Sequence, residues 1–439
     1  MKLLSKFTPP QLLIIIFAIS IMIGTILLKL PFATIESISW INALFTSTSA
    51  MTVTGLAVVD TASSFTLFGE MIILVLIQLG GLGIMSFAVL IAKILGKKIG
   101  IKRRLLVQQS LNQNSFGGIL TLIKYLFIFS LTIELVGTIL LSVVWIPEMG
   151  WIKGIYYSFF HAVSAFNNAG FALWQDSLMG YVANPIVNIG ITSLFILGGI
   201  GFTVLVDIWR TRRFKKLALH TKLMLVGTFT INLAAMLVVF LLEYTNPDTL
   251  GSLATLQDKL WASYFQGVTP RTAGFNSLDI ASLREPTLFF MILLMFIGGG
   301  SASTAGGIKL TSFIVILFAV VSFLRGKEEL VISKRAIKQS IILRALAITF
   351  LGMLFLVAGV FILSITEKSP FLSILFEVTS AFGTVGLSMG ITGSLTMAGK
   401  IVIIFIMVLG KLGPLTLAFS IAKPARTKVK YPGEEIITG

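Results

Sequence analysis

Long apolar runs alternate with short polar, glycine-containing segments along the whole chain. The first run, Gln11 to Leu30, has 20 residues. It is followed by "TSAMTVTGLAVVD" (Thr48–Asp60), with three threonines, a serine and a glycine, and a new apolar run begins at about Gly69. About 20 apolar residues suffice to cross the hydrocarbon core of a bilayer, so the pattern predicts membrane helices. The first run is too long for a signal peptide, and no small-residue cleavage site follows it. First helices are expected at about 11–30, 119–144, 220–243 and 341–365, and second helices at about 69–95, 185–209, 285–324 and 398–422. The expected fold class is an all-α integral membrane protein with eight spans.

The segments between the paired runs repeat. Four windows align without gaps: "INALFTSTSAMTVTGL" (41–56), "YYSFFHAVSAFNNAGF" (156–171), "LWASYFQGVTPRTAGF" (260–275) and "LSILFEVTSAFGTVGL" (372–387). One column holds Phe45, Phe160, Tyr264 and Phe376, another Gly55, Gly170, Gly274 and Gly386, and the last Leu56, Phe171, Phe275 and Leu387. A second feature follows each window: "LGGLG" (79–83), "LGGIG" (197–201), "IGGGS" (297–301) and "LGKLG" (409–413). Its first glycine lies 25, 28, 24 and 24 residues beyond the window glycine. Glycines at helix-packing interfaces would explain the second feature, but not the first. Each repeat thus reads helix, window, helix: repeat 1 over 11–95, repeat 2 over 119–209, repeat 3 over 220–324 and repeat 4 over 341–422, with a tail over 423–439.

Composition strengthens the membrane reading. Of the 439 residues, 56% are hydrophobic and 12% charged, against about 25% charged in a soluble domain. Cysteine is absent, and His161 and His220 form no HExxH pair. That leaves no thiol nucleophile, disulfide framework or zinc-enzyme motif. The net charge of +16 sits in four stretches: "GKKIGIKRR" (96–104), "RTRRFKK" (210–216), "RGKEELVISKRAIK" (325–338) and "KPARTKVK" (423–430). Between them come mainly acids: Asp60, Glu70, Glu148, Asp176, Asp248, Asp258, Asp279 and Glu285. Alternating basic and acidic loops follow the positive-inside rule rather than nucleic-acid binding. Both termini are therefore expected in the cytoplasm of a multi-pass cell-membrane protein, with the basic loops near anionic lipid headgroups.

Even numbers of spans put every window on the outer side at both ends, so each window must dip in and return. Irregular backbone at membrane depth is tolerated only when buried in protein or lining an aqueous cavity. A short helix entering from outside points its carbonyl end inward, where it presents partial negative charge. The returning stretch of about five residues can aim carbonyls at an axis, and glycine permits both positive φ and close approach. Four such stretches about one axis would ring a monovalent cation with oxygens that replace its hydration shell. The expected filter strands are 52–56, 167–171, 271–275 and 383–387, around a pseudo-fourfold pore made by one chain. Their carbonyls come from Thr52, Val53, Thr54 and Gly55; from Asn167, Asn168, Ala169 and Gly170; from Thr272, Ala273 and Gly274; and from Gly383, Thr384, Val385 and Gly386.

"TVTGL", "NNAGF", "RTAGF" and "GTVGL" in one chain resemble the Trk/Ktr/HKT potassium transporters, and most closely the bacterial Ktr membrane subunits. The resemblance extends from "FTPPQ" (7–11) to "YPGEEIITG" (431–439). It implies potassium as the transported ion, held near Gly55, Gly170, Gly274 and Gly386, and sodium as an activator. It also implies a homodimer with one pore per subunit and a cytoplasmic ring of nucleotide-binding regulatory subunits, so that nucleotide acts only through the partner. In plant relatives a serine in the first repeat accompanies sodium transport; four glycines here favour potassium.

The stretch Gly298–Lys309 interrupts the second helix of repeat 3 with five glycines, and its spacing does not fit a GxxxxGK[ST] phosphate loop. Close helix packing would account for it. By resemblance it is an intramembrane gating loop, residues 298–308, with Gly298, Gly299, Gly300, Ser301, Ala302, Ser303, Thr304, Ala305, Gly306 and Gly307 beneath the filter. Lys411, mid-membrane in "LGKLG", needs a cavity or partner; relatives often carry arginine there. Arg271 reads as a structural brace, because its charge would repel cations. His161 and Glu377 share a column with Thr46 and Phe265, a mixed set that reads as packing or hydrogen bonding behind the strands. Two other functions compete: a secondary symporter of a small solute, whose repeats are often inverted, and a less selective sodium/potassium conductor. An enzyme would need a nucleophile or metal cluster, which the sequence lacks.

Overall fold

The computed structural model of the protein describes residues 8–83, 86, 119–327 and 329–416. The basic stretches 96–104 and 423–430, the tail 423–439 and the expected ends of two second helices lie outside these residues.

Four long helices recur at the expected first-helix positions: α1 (Pro9–Leu28), α4 (Ile119–Met149), α8 (Leu219–Glu243) and α12 (Gln339–Thr366). Among the described residues these are the helices long and apolar enough to cross a membrane. Their outer faces carry large exposed apolar side chains, such as Leu131, Leu135, Ile139, Phe350 and Phe361. Such faces would be a liability in water and suit lipid.

A short helix follows each long one: α2 (Trp40–Thr52), α5 (Trp151–Phe166), α9 (Leu256–Val268) and α13 (Phe371–Gly383). Their C-terminal halves are largely buried. In the shared aromatic column Phe45, Phe160 and Phe376 are fully buried core packing, while Tyr264 is half-buried and its hydroxyl donates to Thr192 Oγ1 at 3.1 Å.

Three of the second helices differ from the expected unbroken spans, while that of repeat 3 shows an interruption where the sequence places one. The first, α3 (Leu67–Leu82), stops at Gly83. In repeat 2 the apolar run splits into α6 (Pro185–Ile200) and α7 (Phe202–Thr211), bent by 94° at Gly201. In repeat 3, α10 (Glu285–Phe296) and α11 (Leu310–Leu324) flank an irregular segment. The last, α14 (Met397–Leu412), stops at Gly413. Gly83, Gly201 and Gly413 have φ of 82°, 108° and 84°, a region closed to most L-residues. In repeats 1, 2 and 4 the final glycine of the motif therefore ends a helix that hydropathy alone would extend.

The first glycine of the motif has a different task. A Cβ at Gly80, Gly198 or Gly410 would lie 1.9, 1.8 or 2.0 Å from the carbonyl oxygen of Met51, Phe166 or Phe382. Each second helix thus touches the last turn of its own short helix, and this contact explains the near-constant separation of the two glycine columns. In repeat 3 the segment after α10 folds back instead, and the same test at Gly298 meets the carbonyl of Gly306 at 2.0 Å. Between α11 and α12 a two-stranded hairpin, β1 (Val331–Ile332) and β2 (Arg335–Ala336), turns through Ser333 and Lys334, both at positive φ.

Candidate ion pathway

Each short helix ends in the same backbone sequence of turns. Val53, Asn168, Thr272 and Thr384 have φ of 52°, 58°, 72° and 49°, while Gly55, Gly170, Gly274 and Gly386 have φ of 90°, 67°, 82° and 96°. Thr54, Ala169, Ala273 and Val385, between them, keep negative φ. Val53, Thr272 and Thr384 are β-branched, for which positive φ is a true outlier, costing about 1–3 kcal/mol each.

The four glycines close on one another. A Cβ on Gly55 would meet the Ala169 carbonyl oxygen at 2.4 Å and the Gly170 Cα at 3.1 Å. On Gly170 it would meet the Gly274 Cα at 2.9 Å, on Gly274 the Val385 oxygen at 2.2 Å, and on Gly386 the Thr54 oxygen at 2.2 Å and the Gly55 Cα at 3.0 Å. The contacts run from repeat to repeat and return to the start.

Hydroxyls brace the strands from behind. The Gly55 N–H donates to Ser49 Oγ and the Gly386 N–H to Ser380 Oγ, both at 3.1 Å. In the other two repeats the hydroxyl donates instead, Ser164 to the Phe171 carbonyl at 2.8 Å and Thr269 to the Phe275 carbonyl at 2.5 Å. The mixed column lies in the same shell. His161 Nδ1 is 2.8 Å from the Tyr157 carbonyl, and its Nε2 accepts from the Leu173 N–H at 3.2 Å. Glu377 accepts from Ser388 at 2.7 Å and Thr392 at 2.5 Å. Both tie a short helix to the chain leaving the ring. Arg271 donates to Asn232 Oδ1 at 3.0 Å and the Gly298 carbonyl at 3.4 Å.

The irregular segment between α10 and α11 lies against two of these strands. Thr304 donates to Asn168 Oδ1 at 2.8 Å, and Asn168 Nδ2 donates to Thr272 Oγ1 at 3.2 Å. A Cβ on Gly306 would fall 2.2 Å from Thr384 Oγ1. Three backbone bonds fasten the segment to the Gly201 bend: Gly300 N–H to Gly199 O at 2.7 Å, Phe202 N–H to Ala302 O at 2.8 Å, and Thr304 N–H to Gly198 O at 3.3 Å. Lys411 donates to the Thr304 carbonyl at 2.6 Å, and Lys309 to the Ala305 carbonyl at 2.7 Å. Ala302, Ser303, Ala305, Gly307 and both lysines line a cavity of about 770 Å³ that also reaches Gly80–Gly83 and Gly413.

The sequence-derived residues thus gather into one ring and one segment beside it. Sequence reasoning gave no role to Lys309, to the serine braces, or to the buried Glu134 and its partner Gln78. A charged residue inside an apolar run was the available indication for Glu134.

Comparison with known proteins bears on the same architecture. The TrkH family, described as cation transport proteins, matches residues 10–431. The Ktr system potassium uptake protein B of Bacillus subtilis is 60% identical over 434 residues, covering 99% of this chain and 97% of that protein. The potassium/sodium uptake protein NtpJ of Enterococcus hirae is 41% identical, covering 99% and 98%. The crystal structure of the potassium transporter TrkH from Vibrio parahaemolyticus superposes with a TM-score of 0.72 at 22% identity, covering 93% of this chain and 84% of that one, and so shares its fold. By the extent of the family match and of these identities, the chain belongs to the TrkH family of membrane cation transporters and is not an enzyme.

Proposed function

We propose that this chain takes up potassium across the cell membrane through a pore whose selectivity filter is the glycine ring. The closed cycle of contacts among Gly55, Gly170, Gly274 and Gly386 carries the reading. Along an ordinary strand, successive residues face opposite ways. Alternating positive and negative φ brings successive carbonyls to one side, as the αR-αL alternation does for N–H groups in anion nests. The oxygens of Thr54, Ala169, Ala273 and Val385, with those of their neighbours, then face a common axis and replace a hydration shell. Each of the four repeats contributes one strand, and the short helices direct their carbonyl ends toward it.

The names of the relatives support the choice of ion. The B. subtilis protein is named for potassium uptake and the E. hirae protein for potassium and sodium. Sodium as an activator of potassium uptake is the reading adopted for this chain. The segment 298–308 acts as gate, with Lys309 and Lys411 adding positive charge on its inner side. A "Ktr system" has more than one component; the partner proposed is a cytoplasmic ring of nucleotide-binding subunits docked on a homodimer. Its contacts include the basic loops around Arg210–Lys216 and the β1–β2 hairpin, on the side where both termini lie.

Uptake of radioactive rubidium into vesicles, against sodium, amino acids and sugars, tests the function. Rubidium uptake in excess of all others is expected, and uptake of an organic solute would favour a symporter. Gly170→Ser, where the nearest atom to a new Cβ is farthest among the four, at 2.9 Å, and Gly55→Ser should each narrow the preference over sodium. Unchanged preference in every glycine variant that folds would remove the ring from ion selection.

A further inference from the structure

Beside the second strand of the ring lies a polar cluster built around a buried carboxylate. Glu134, in the middle of α4, is 4% exposed, and Ser130 and Asn167 are fully buried. Gln78 Nε2 donates to both carboxylate oxygens of Glu134, at 3.0 and 3.2 Å, and Ser130 Oγ donates to one at 2.7 Å. Every partner of the carboxylate is a donor. With its nitrogen turned to Glu134, the Gln78 amide must turn its oxygen the other way, and there it accepts from Asn167 Nδ2 at 2.6 Å. Asn167 caps α5 and is the first residue of the strand that leads to Gly170. Its own Oδ1 is buried without a hydrogen-bond partner, so the amide is held by its nitrogen alone.

We infer that Glu134 is a positioning residue for ion selection: through Gln78, and by a longer direct contact from Asn167 Nδ2 at 3.4 Å, it fixes the Asn167 side chain, and with it the start of the second filter strand. A carboxylate at mid-membrane depth is costly and is retained for function. Packing does not demand it, because Ile196, Phe296 and Val408 stand before the glycine motif where repeat 1 has Gln78. The cluster joins α3 of one repeat to α4 and α5 of the next, so it sets the second strand relative to the first. The buried network is directional: reversing the Gln78 amide breaks its bonds to Glu134 and to Asn167 at once.

The inference rests on the ring being the filter, and the test separates the two. Rubidium and sodium uptake are compared in vesicles carrying the wild type, Gly170→Ser, Glu134→Gln, and the exchanged pair Gln78→Glu with Glu134→Gln. Glu134→Gln should lower the rubidium preference by about tenfold, the size of one charge-assisted hydrogen bond. The exchanged pair places the carboxylate where it accepts from both Asn167 and the new amide, and should restore the preference. Because the ratio is read only from molecules that conduct, a loss of folded protein does not move it. If Gly170→Ser shifts the ratio while Glu134→Gln does not, the ring stands and Glu134 has no positioning role. A shift that the exchanged pair fails to restore also overturns the inference. No shift in Gly170→Ser, with none in Gly55→Ser or any other ring-glycine variant that folds, refutes the filter reading itself.

Discussion

Ser49 and Ser380 do the same work in two repeats, each accepting the N–H of a ring glycine. Removing that acceptor takes away the bond that holds the half-buried N–H of Gly386, at a cost of about 1 kcal/mol. Ser380→Ala is therefore expected to lower the thermal unfolding midpoint by a few degrees and to weaken preference for potassium over sodium. Unfolding followed by fluorescence, together with rubidium and sodium uptake, checks both; a stable variant with unaltered preference would show that Ser380 does not hold the strand. The two readouts should move together, because the same bond opposes the strain of Thr384 at positive φ. Much of this scale was written in the sequence. Four glycines in one column are legible because one backbone conformation demands them at each site. The braces were not legible. A serine occupies the column in three windows, but it accepts in two repeats and donates in a third, and that choice depends on neighbours the sequence does not order.

At the scale of elements, hydropathy located the four long helices, and the repeated windows located the short helices between the runs. It could not locate the 94° bend in repeat 2, since the residues after Gly201, "FTVLV", are as apolar as those before it. Backbone φ has no hydropathy signature. The first motif glycines can be tested directly. Gly198→Ala puts a methyl 1.8 Å from the Phe166 oxygen, and both partners are backbone, so α6 must move away from α5. Overpacking of this kind costs about 1–3 kcal/mol or more. Gly180→Ala, with nothing within 4 Å of the new methyl, serves as the control and should be neutral. Detergent-solubilised protein should show a lowered melting temperature for Gly198→Ala alone. Equal melting for both variants would mean the close approach of α6 and α5 is not what holds the second helix in place.

At the scale of the whole molecule, the proposed gate depends on how firmly the segment 298–308 is held. Three backbone bonds tie the segment to the Gly201 bend, and Thr304 adds a side-chain bond to Asn168. At about 0.5–1.5 kcal/mol net for each, releasing the loop costs roughly 2–6 kcal/mol. A gate of that size would stay closed on its own, yet a partner with a modest difference in affinity for the two states would open it. Lys411 would add a second obstacle. Its ammonium holds the Thr304 carbonyl at 2.6 Å, so one group both fastens the loop and places positive charge beside the cavity. Lys411→Gln removes both the charge and the ammonium bond to Thr304 while the three backbone bonds remain, and should raise rubidium flux modestly. Deleting several residues within 298–308 removes the obstruction itself, and should raise flux further and make it independent of the partner ring. The deletion also takes away the Thr304 contact with Asn168, so some loss of preference over sodium should accompany the faster flux. Flux with and without the partner, measured on dimeric protein in vesicles, decides the matter: a folded deletion variant that conducts no faster than wild type would mean that the segment is not the gate.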